Sequence, residues 1–395
     1  MSATTKKAQR LRADIIKLLY YKKKSSLTDL SKRIKKSLPL ITSTVNALIE
    51  DGLIIEQGLA PSTGGRRPLN FLLNPDYKRY IIAVAMDQLT SQLTIYDLSN
   101  HQVLPTQVID LDMTERKSAD TLIEFIDRCI KKSTIDKENL LGIGIGMPGF
   151  VNADKGINYS FMQIENDISL QDYLAKKLSL PVYIDNDSSL IALAELNFGE
   201  ARNLKDVLVV NIGWGTGLGM IINGKLYRGS SGYAGEFSHI PLSNSNALCS
   251  CGKRGCLEVE TSLLVMVQKA EAAVKNGEET SLKALFNDKS KSHVDHFLNA
   301  VVKQDPVAIS ILADAAFQIG KGLATLIHIM NPERIVLSGR GAKAGKMLLP
   351  PIQQAINEFC IPRVAEQTEI KLSTLTDEAE LLAAASLMVE NSLFE

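Results

Sequence analysis

The stretch Gly235–Glu258 reads GEFSHIPLSNSNALCSCGKRGCLE. It holds His239 and then Cys249, Cys251 and Cys256, so three of the chain's five cysteines fall within eight positions. Thiolates this close together read as soft ligands for one zinc ion rather than as a disulfide framework. His239, Cys249, Cys251 and Cys256 form a complete tetrahedral set. A closed set leaves no position for a catalytic water, so the metal is expected to be structural. The alternative is an oxidised pair of these cysteines and a histidine with another task.

Two carboxylates, Glu236 and Glu258, flank the cysteines. Further motifs lie on either side: Gly144–Gly149 (GIGMPG), Asp185-Asn186-Asp187, Gly213–Gly219 (GWGTGLG) and Pro332–Gly341 (PERIVLSGRG). Together and in this order they resemble the ROK family of sugar kinases and sugar-responsive repressors, over nearly the whole chain. Ser238 stands where members usually carry glycine. The resemblance implies an α/β body of two actin-like, ribonuclease-H-like lobes that binds a sugar. It also implies that Asn186, Asp187, Glu236, His239 and Glu258 hydrogen-bond the sugar hydroxyls. Carboxylates and an imidazole supply the directional acceptors and donors that a polyol requires. Asp187 matches the base of the kinases, and His239 could give one ring nitrogen to zinc and the other to the sugar.

The formal net charge is zero, but it is unevenly distributed. Residues 1–79 hold 16 Lys and Arg against 6 Asp and Glu, a balance of +10, which leaves −10 on the remainder. A basic head on an acidic body is the footprint of a nucleic-acid-binding module, although a solvated lysine-rich helix face gives a similar count. Leu11, Ile15, Leu18 and Leu19 predict a helix over residues 9–21. Ser26-Leu27-Thr28-Asp29 predicts a capped second helix. A third helix is expected from Pro39, ended by Gly52, with Ile41, Val45, Leu48 and Ile49 inward and Thr42, Ser43 and Asn46 outward. This pattern is a helix-turn-helix whose third helix would enter the major groove. Strands at residues 53–56 and 69–73 complete a winged head. Between them, Arg66 and Arg67 suit a narrow minor groove, unless the Gly-Gly-Arg-Arg-Pro run is only a linker.

The kinases of the family carry Asp-x-Gly-Gly-Thr after their first strand, whereas here Asp87-Gln88-Leu89-Thr90 follows Ile81–Met86. Gln88 and Leu89 replace both glycines, and their side chains restrict the close backbone approach that cradles phosphate. The turn Gly213–Gly219 is weak evidence for a nucleotide, since it also reads as a tight turn between strands.

The expected organisation is a head at 1–75, a smaller lobe at 76–188 with 374–395, and a larger lobe at 189–373 carrying zinc and a dimerisation surface. The expected function is a sugar-responsive DNA-binding regulator, more specifically a repressor of carbohydrate genes. Its partners would be operator DNA, a sugar or sugar-phosphate effector, a second copy in a homodimer or homotetramer, and conceivably a regulatory protein. The rival is an ATP-dependent sugar kinase with an added head. No uninterrupted apolar run approaches the roughly 20 residues of a membrane helix, and no signal-peptide core is evident, so the expected location is the cytoplasm without membrane insertion.

Overall fold

The computed structural model describes residues 3–59, 69–164, 168–288, 291–375 and 378–394. Two compact units emerge: Met1–Asp185 with Ala384–Glu395, and Asn186–Ala383.

The first unit opens with α1 (Ala3–Lys22), β1 (Ser25–Ser26), α2 (Leu27–Ile34), α3 (Leu38–Glu50), β2 (Ile54–Leu59) and β3 (Leu69–Leu73). The short strand β1 pairs with β3, and β3 with β2, so the hairpin is tied back to the helices in the manner of a winged helix-turn-helix. Ser26 caps α2 by accepting from Asp29 N–H at 3.2 Å, and Lys35 ends the helix in the left-handed region (φ 56°). Pro39 lies in the first turn of α3, and Gly52 closes that helix at φ 75°. Ile41, Val45 and Leu48 are fully buried, with Ile49 only half so. Helix α1 starts six residues earlier than its apolar period suggests, because its first turns are polar and exposed. Arg66 and Arg67 lie outside the described residues.

Next come β4 (Tyr80–Met86), β5 (Thr90–Asp97), β6 (Gln102–Asp110), α4 (Ser118–Ser133), β7 (Leu140–Met147), the small hairpin β8 (Val151–Asn152) and β9 (Ile157–Asn158), α5 (Leu170–Leu178) and β10 (Val182–Asn186). The sheet order is β10-β7-β4-β5-β6, over a core that includes Val84, Ile95, Phe125, Ile143 and Leu174.

The second unit contains α6 (Asp187–Asn197), β11 (Val207–Ile212), β12 (Thr216–Ile222), β13 (Lys225–Tyr227), α7 (Glu258–Thr261), α8 (Leu263–Lys275), α9 (Leu282–Leu285), α10 (His293–Val302), α11 (Pro306–Met330), β14 (Arg334–Ser338), α12 (Leu349–Phe359), α13 (Pro362–Ala365) and β15 (Glu369–Leu372). Its sheet runs β13-β12-β11-β14-β15. Both sheets therefore place the first strand centrally, its two antiparallel successors on one side, and the fourth and fifth strands on the other. This repeated ribonuclease-H-like topology is the actin-like body. Helix α14 (Ala379–Asn391) starts among the residues of the second unit and ends among those of the first.

Within the first unit the head is fastened to the end of α14. Tyr20 of α1 is fully buried, and Tyr21 Oη donates to Ser386 O at 3.5 Å. The Lys17 ammonium donates to Glu390 O. The strand β7 comes so close to the same helix that a Cβ on Gly144 would lie 1.9 Å from Ala384 O, so only glycine fits there.

Helix α11 is long and apolar enough to match a membrane span by length and composition, which the sequence reading did not anticipate. Instead, Leu312, Ile319, Leu323 and Ile327 are buried in the core of the second unit. Its N-terminus is capped by Asp305, whose Oδ1 accepts from Val307 N–H (3.1 Å) and Ala308 N–H (3.0 Å), while Oδ2 accepts from Ser281 N–H (2.8 Å). Burial works against the Asp305 charge, but the hydrogen bonds from Ala308, Ser281 and Thr280 outweigh it, and its pKa is lowered. A depressed carboxyl contributes stability above the unfolded-state value near 3.9, and that stability is lost as pH falls through the folded value. Asp305→Ala is expected to cost about 1–2 kcal/mol at neutral pH and to flatten the acid limb of the stability curve, as read by urea unfolding at several pH values.

Candidate functional site

The site grows from the start of α6. Asn186 caps that helix, its Oδ1 accepting from Ser188 N–H (3.0 Å) and Ser189 N–H (3.1 Å). The cap fixes Asp187 in the first turn, where the helix dipole favours a carboxylate. Asp187 Oδ1 accepts from Ser188 N–H at 2.7 Å, and Oδ2 from Asn211 Nδ2 at 3.3 Å. Asn211 is buried on β11 and also donates to Ser188 Oγ at 3.1 Å.

Gly213–Gly215 turn the chain from β11 into β12, which takes up Thr216–Gly219, and Gly213 N–H donates to Gly215 O. Gly215 and Gly217 are explained by close approach. A Cβ on Gly217 would lie 1.9 Å from Ser188 Oγ, and one on Gly215 would lie 2.7 Å from Glu258 Oε1. The amide of Thr216 donates to Glu258 Oε2 at 2.9 Å. Burial raises the Glu258 pKa against this bond and one from the Ser238 hydroxyl, with the Asp187 charge adding to the rise. Ser238 thus has a specific use at a position where the family usually has glycine. Glu236, 43% exposed in its side chain, is raised by partial loss of solvent and then by the charges of Asp187 and Glu258. The second unit therefore gathers three carboxylates, from α6, from the segment before His239 and from α7, within electrostatic reach of one another.

His239 joins this group to the cysteines. Its Nε2 lies 3.7 Å from Glu236 Oε2, and its Nδ1 lies 3.5 Å from Cys249 Sγ. Gly252 and Gly255, both at φ 81°, turn the chain so that Cys249, Cys251 and Cys256 converge. The four ligand atoms all lie within 4.8 Å of one another. All three cysteines are free thiols, and Cys251 Sγ and Cys256 Sγ are 3.5 Å apart, far beyond a disulfide bond. Burial and the adjacent thiols push the Cys256 thiol up to about 12. Cys251 moves the other way, burial being outweighed by hydrogen bonds from Lys253 and the neighbouring thiols, and the one nitrogen and three sulfurs form a donor set that fits a metal ion.

In the first unit, the turn from β4 to β5 is closed by the Asp87 carboxylate. Asp87 Oδ1 accepts from Leu89 N–H (2.8 Å) and Thr90 N–H (2.6 Å), and Oδ2 accepts from Thr90 Oγ1 (2.7 Å). The amides of this turn already serve a carboxylate of the chain itself, and Leu89 projects outward, 47% exposed. In the head, Ser43 and Asn46 are exposed on α3 and Thr42 is half-buried.

These features decide between family and chance resemblance once the chain is compared with known proteins. A profile of the ROK family matches residues 82–391. The chain belongs to the ROK family. Among its ROK relatives is a xylose repressor from Caldicellulosiruptor bescii, 26% identical over 96% of this chain and 95% of the relative. A glucokinase from Halalkalibacterium halodurans is 33% identical over 69% of this chain and 84% of the enzyme. The crystal structure of a ROK family transcriptional regulator, a homologue of the Escherichia coli MLC protein, superposes with a TM-score of 0.77. It covers 97% of this chain and 96% of its own at 24% identity, and so shares the fold.

Asn186, Asp187, Glu236, His239 and Glu258 all fall in the second unit, and the last four form a connected group. Sequence reasoning missed Ser188, Asn211, Thr216 and Ser238, which position those carboxylates. Asn211, Thr216 and Ser238 act on carboxylates brought near only by the fold, whereas Ser188 acts on its own neighbour Asp187.

Proposed function

We propose that this protein is a sugar-responsive DNA-binding repressor of carbohydrate uptake or catabolism genes, whose ROK body binds its effector without phosphorylating it. The observation that carries this reading is one chain holding both the carboxylate group at Asp187, Glu236 and Glu258 and a basic helix-turn-helix head. Similarity to the xylose repressor runs through the head, whereas that to the glucokinase spans a smaller share of the chain. Residues 1–75 act as the DNA-binding domain, 76–188 with 374–395 as the smaller lobe and 189–373 as the larger. Zinc held by His239, Cys249, Cys251 and Cys256 fixes the segment that bears Glu236 and Glu258. Asn186, Asp187, Glu236, His239 and Glu258 bind a sugar or sugar phosphate. Thr42, Ser43 and Asn46 face the major groove, and Arg66 and Arg67 reach the minor groove. The protein works in the cytoplasm as a homodimer or homotetramer that sets two heads on two half-sites, and a regulatory protein could act on the same body. Exposed Ile329, Phe359 and Ile361 in the second unit give the larger lobe an apolar surface suited to self-association.

Arg66→Ala with Arg67→Ala is expected to weaken operator binding and reduce the salt slope by about two, measured by titration at several ionic strengths. Unchanged affinity and slope would leave these arginines as part of a linker.

A second reading, a sugar kinase with a head, is favoured by Asp187, which keeps the place of the kinase base. The occupied amides at Leu89 and Thr90 weigh against it, since phosphoryl transfer depends on positioning and charge neutralisation of phosphate. A coupled ATP assay separates the two. No phosphate transfer to any aldose is expected, and turnover in the typical range of roughly 1–100 per second would establish the kinase.

A further inference from the structure

We infer that Leu38 and Leu40, in the first turn of α3, recognise thymine methyl groups in the major groove. The inference rests on the DNA-binding reading of the head and adds to it the kind of base the helix selects. Ile41, Val45 and Leu48 fill the inward face of α3, whereas Leu38 and Leu40 stay outside the core, 42% and 44% exposed. In a helix-turn-helix, residues near the N-terminus of the second helix of the motif meet the base edges, and these leucines occupy that turn.

The polar residues beside them have their donors engaged. Thr42 Oγ1 donates to Leu38 O (2.9 Å), Ser43 Oγ to Leu40 O (3.0 Å) and Thr44 Oγ1 to Leu40 O (2.8 Å). Each hydroxyl proton is thereby held within the helix, leaving lone pairs to face outward. The contact chemistry of this turn is then dominated by the leucine side chains. The major groove carries one apolar mark, the C5 methyl of thymine.

Charge indicates the partner. Lys32, Arg33, Lys35 and Lys36 are exposed immediately before α3, and their loop is pinned by Lys36 N–H to Ser31 O (3.2 Å) and Ser31 Oγ to Lys36 O (2.6 Å). An apolar turn beside a cluster of exposed cations complements a polyanion that presents methyl groups in a groove, with the cations on phosphates and the leucines on bases.

The test recovers a preferred site with the full-length protein from a randomised double-stranded library, then replaces each thymine in turn by deoxyuracil, which removes only the methyl carbon. Wild type is expected to lose about fourfold in affinity at one or more positions of each half-site, the equivalent of one buried methyl. Leu40→Ala, or Leu38→Ala, should bind the thymine site more weakly and no longer distinguish it from the uracil site, with the salt slope unchanged. Because the substitution of thymine alters only the DNA, the first result does not depend on a variant folding. Equal affinity for thymine and uracil at every position of a tightly bound site would overturn the inference while leaving DNA binding intact. Failure to bind any duplex at low salt would overturn the DNA-binding reading itself, and this inference with it. Leucine variants that shift the oligomeric state or vesicle binding but not base preference would assign the turn to another partner.

Discussion

Cys251→Ser is expected to lose zinc and to loosen the whole segment from Glu236 to Glu258. The four ligand atoms draw the knuckle 249–256 against His239, alongside backbone bonds such as Ser243 N–H to Gly255 O (3.0 Å) and Leu257 N–H to Ile240 O (3.0 Å). Apparent binding energies of structural zinc sites are roughly 10–16 kcal/mol, and they act as folding energy because the unfolded chain has no preformed site. Removing one thiolate should therefore weaken zinc binding by more than the roughly 10- to 100-fold that loss of an outer-shell partner costs. Metal analysis should find about one zinc per wild-type chain and far less in the variant. Thermal unfolding should shift downward, and effector binding should fall with it, because His239 would no longer be held 3.7 Å from Glu236. Metal-free protein with full stability and full effector binding would contradict the assignment.

The second large effect is expected at Glu236. Glu236→Ala should leave operator affinity near wild type and abolish release of DNA by the effector. Glu258 is engaged by Thr216 N–H and Asp187 by Asn211 and Ser188, so both carboxylates have internal partners, whereas Glu236 keeps its side chain 43% exposed. A hydrogen bond to a charged group is worth about 1.5–3 kcal/mol, so effector affinity should drop roughly 10- to 150-fold. The head is distant from Glu236 in sequence and is fastened to α14 by Tyr21 and Lys17. Isothermal titration with the cognate sugar and anisotropy with labelled operator separate the two effects. A variant that loses DNA binding and effector binding together would point to a folding defect.

How far the sequence reveals these features depends on the range of the contacts involved. The cluster of His239, Cys249, Cys251 and Cys256 is legible because its members come from one short segment, and the cap of α2 because Ser26 acts three residues away. The strands β4, β7, β11 and β14 stand out as apolar runs, since each is buried within its sheet. Strand β6 does not. It is an edge strand with Pro105 and exposed Val103 and Val108, so its apolar alternation is lost. Edge strand β15 is only half-buried and equally silent. The positioning residues were hidden for a different reason: Asn211 acts 24 positions from Asp187, and Thr216 acts 42 from Glu258. The glycines of Gly213–Gly219 could signal either a nucleotide or a turn, and close approaches to Glu258 and Ser188 account for Gly215 and Gly217 within the second unit. Gln88 and Leu89 are plain in the sequence, whereas the capture of the amides of Leu89 and Thr90 by Asp87 needed coordinates.

A ligand shifts an equilibrium only by its difference in affinity between the two states, so a repressor of this design must bind effector and operator in competition. The most direct test is the anisotropy of labelled operator bound to full-length protein, titrated with aldoses and their phosphates in the absence of ATP. One sugar class is expected to lower operator occupancy without any nucleotide. Operator affinity unmoved by every sugar, in protein that still binds one of them, would contradict it.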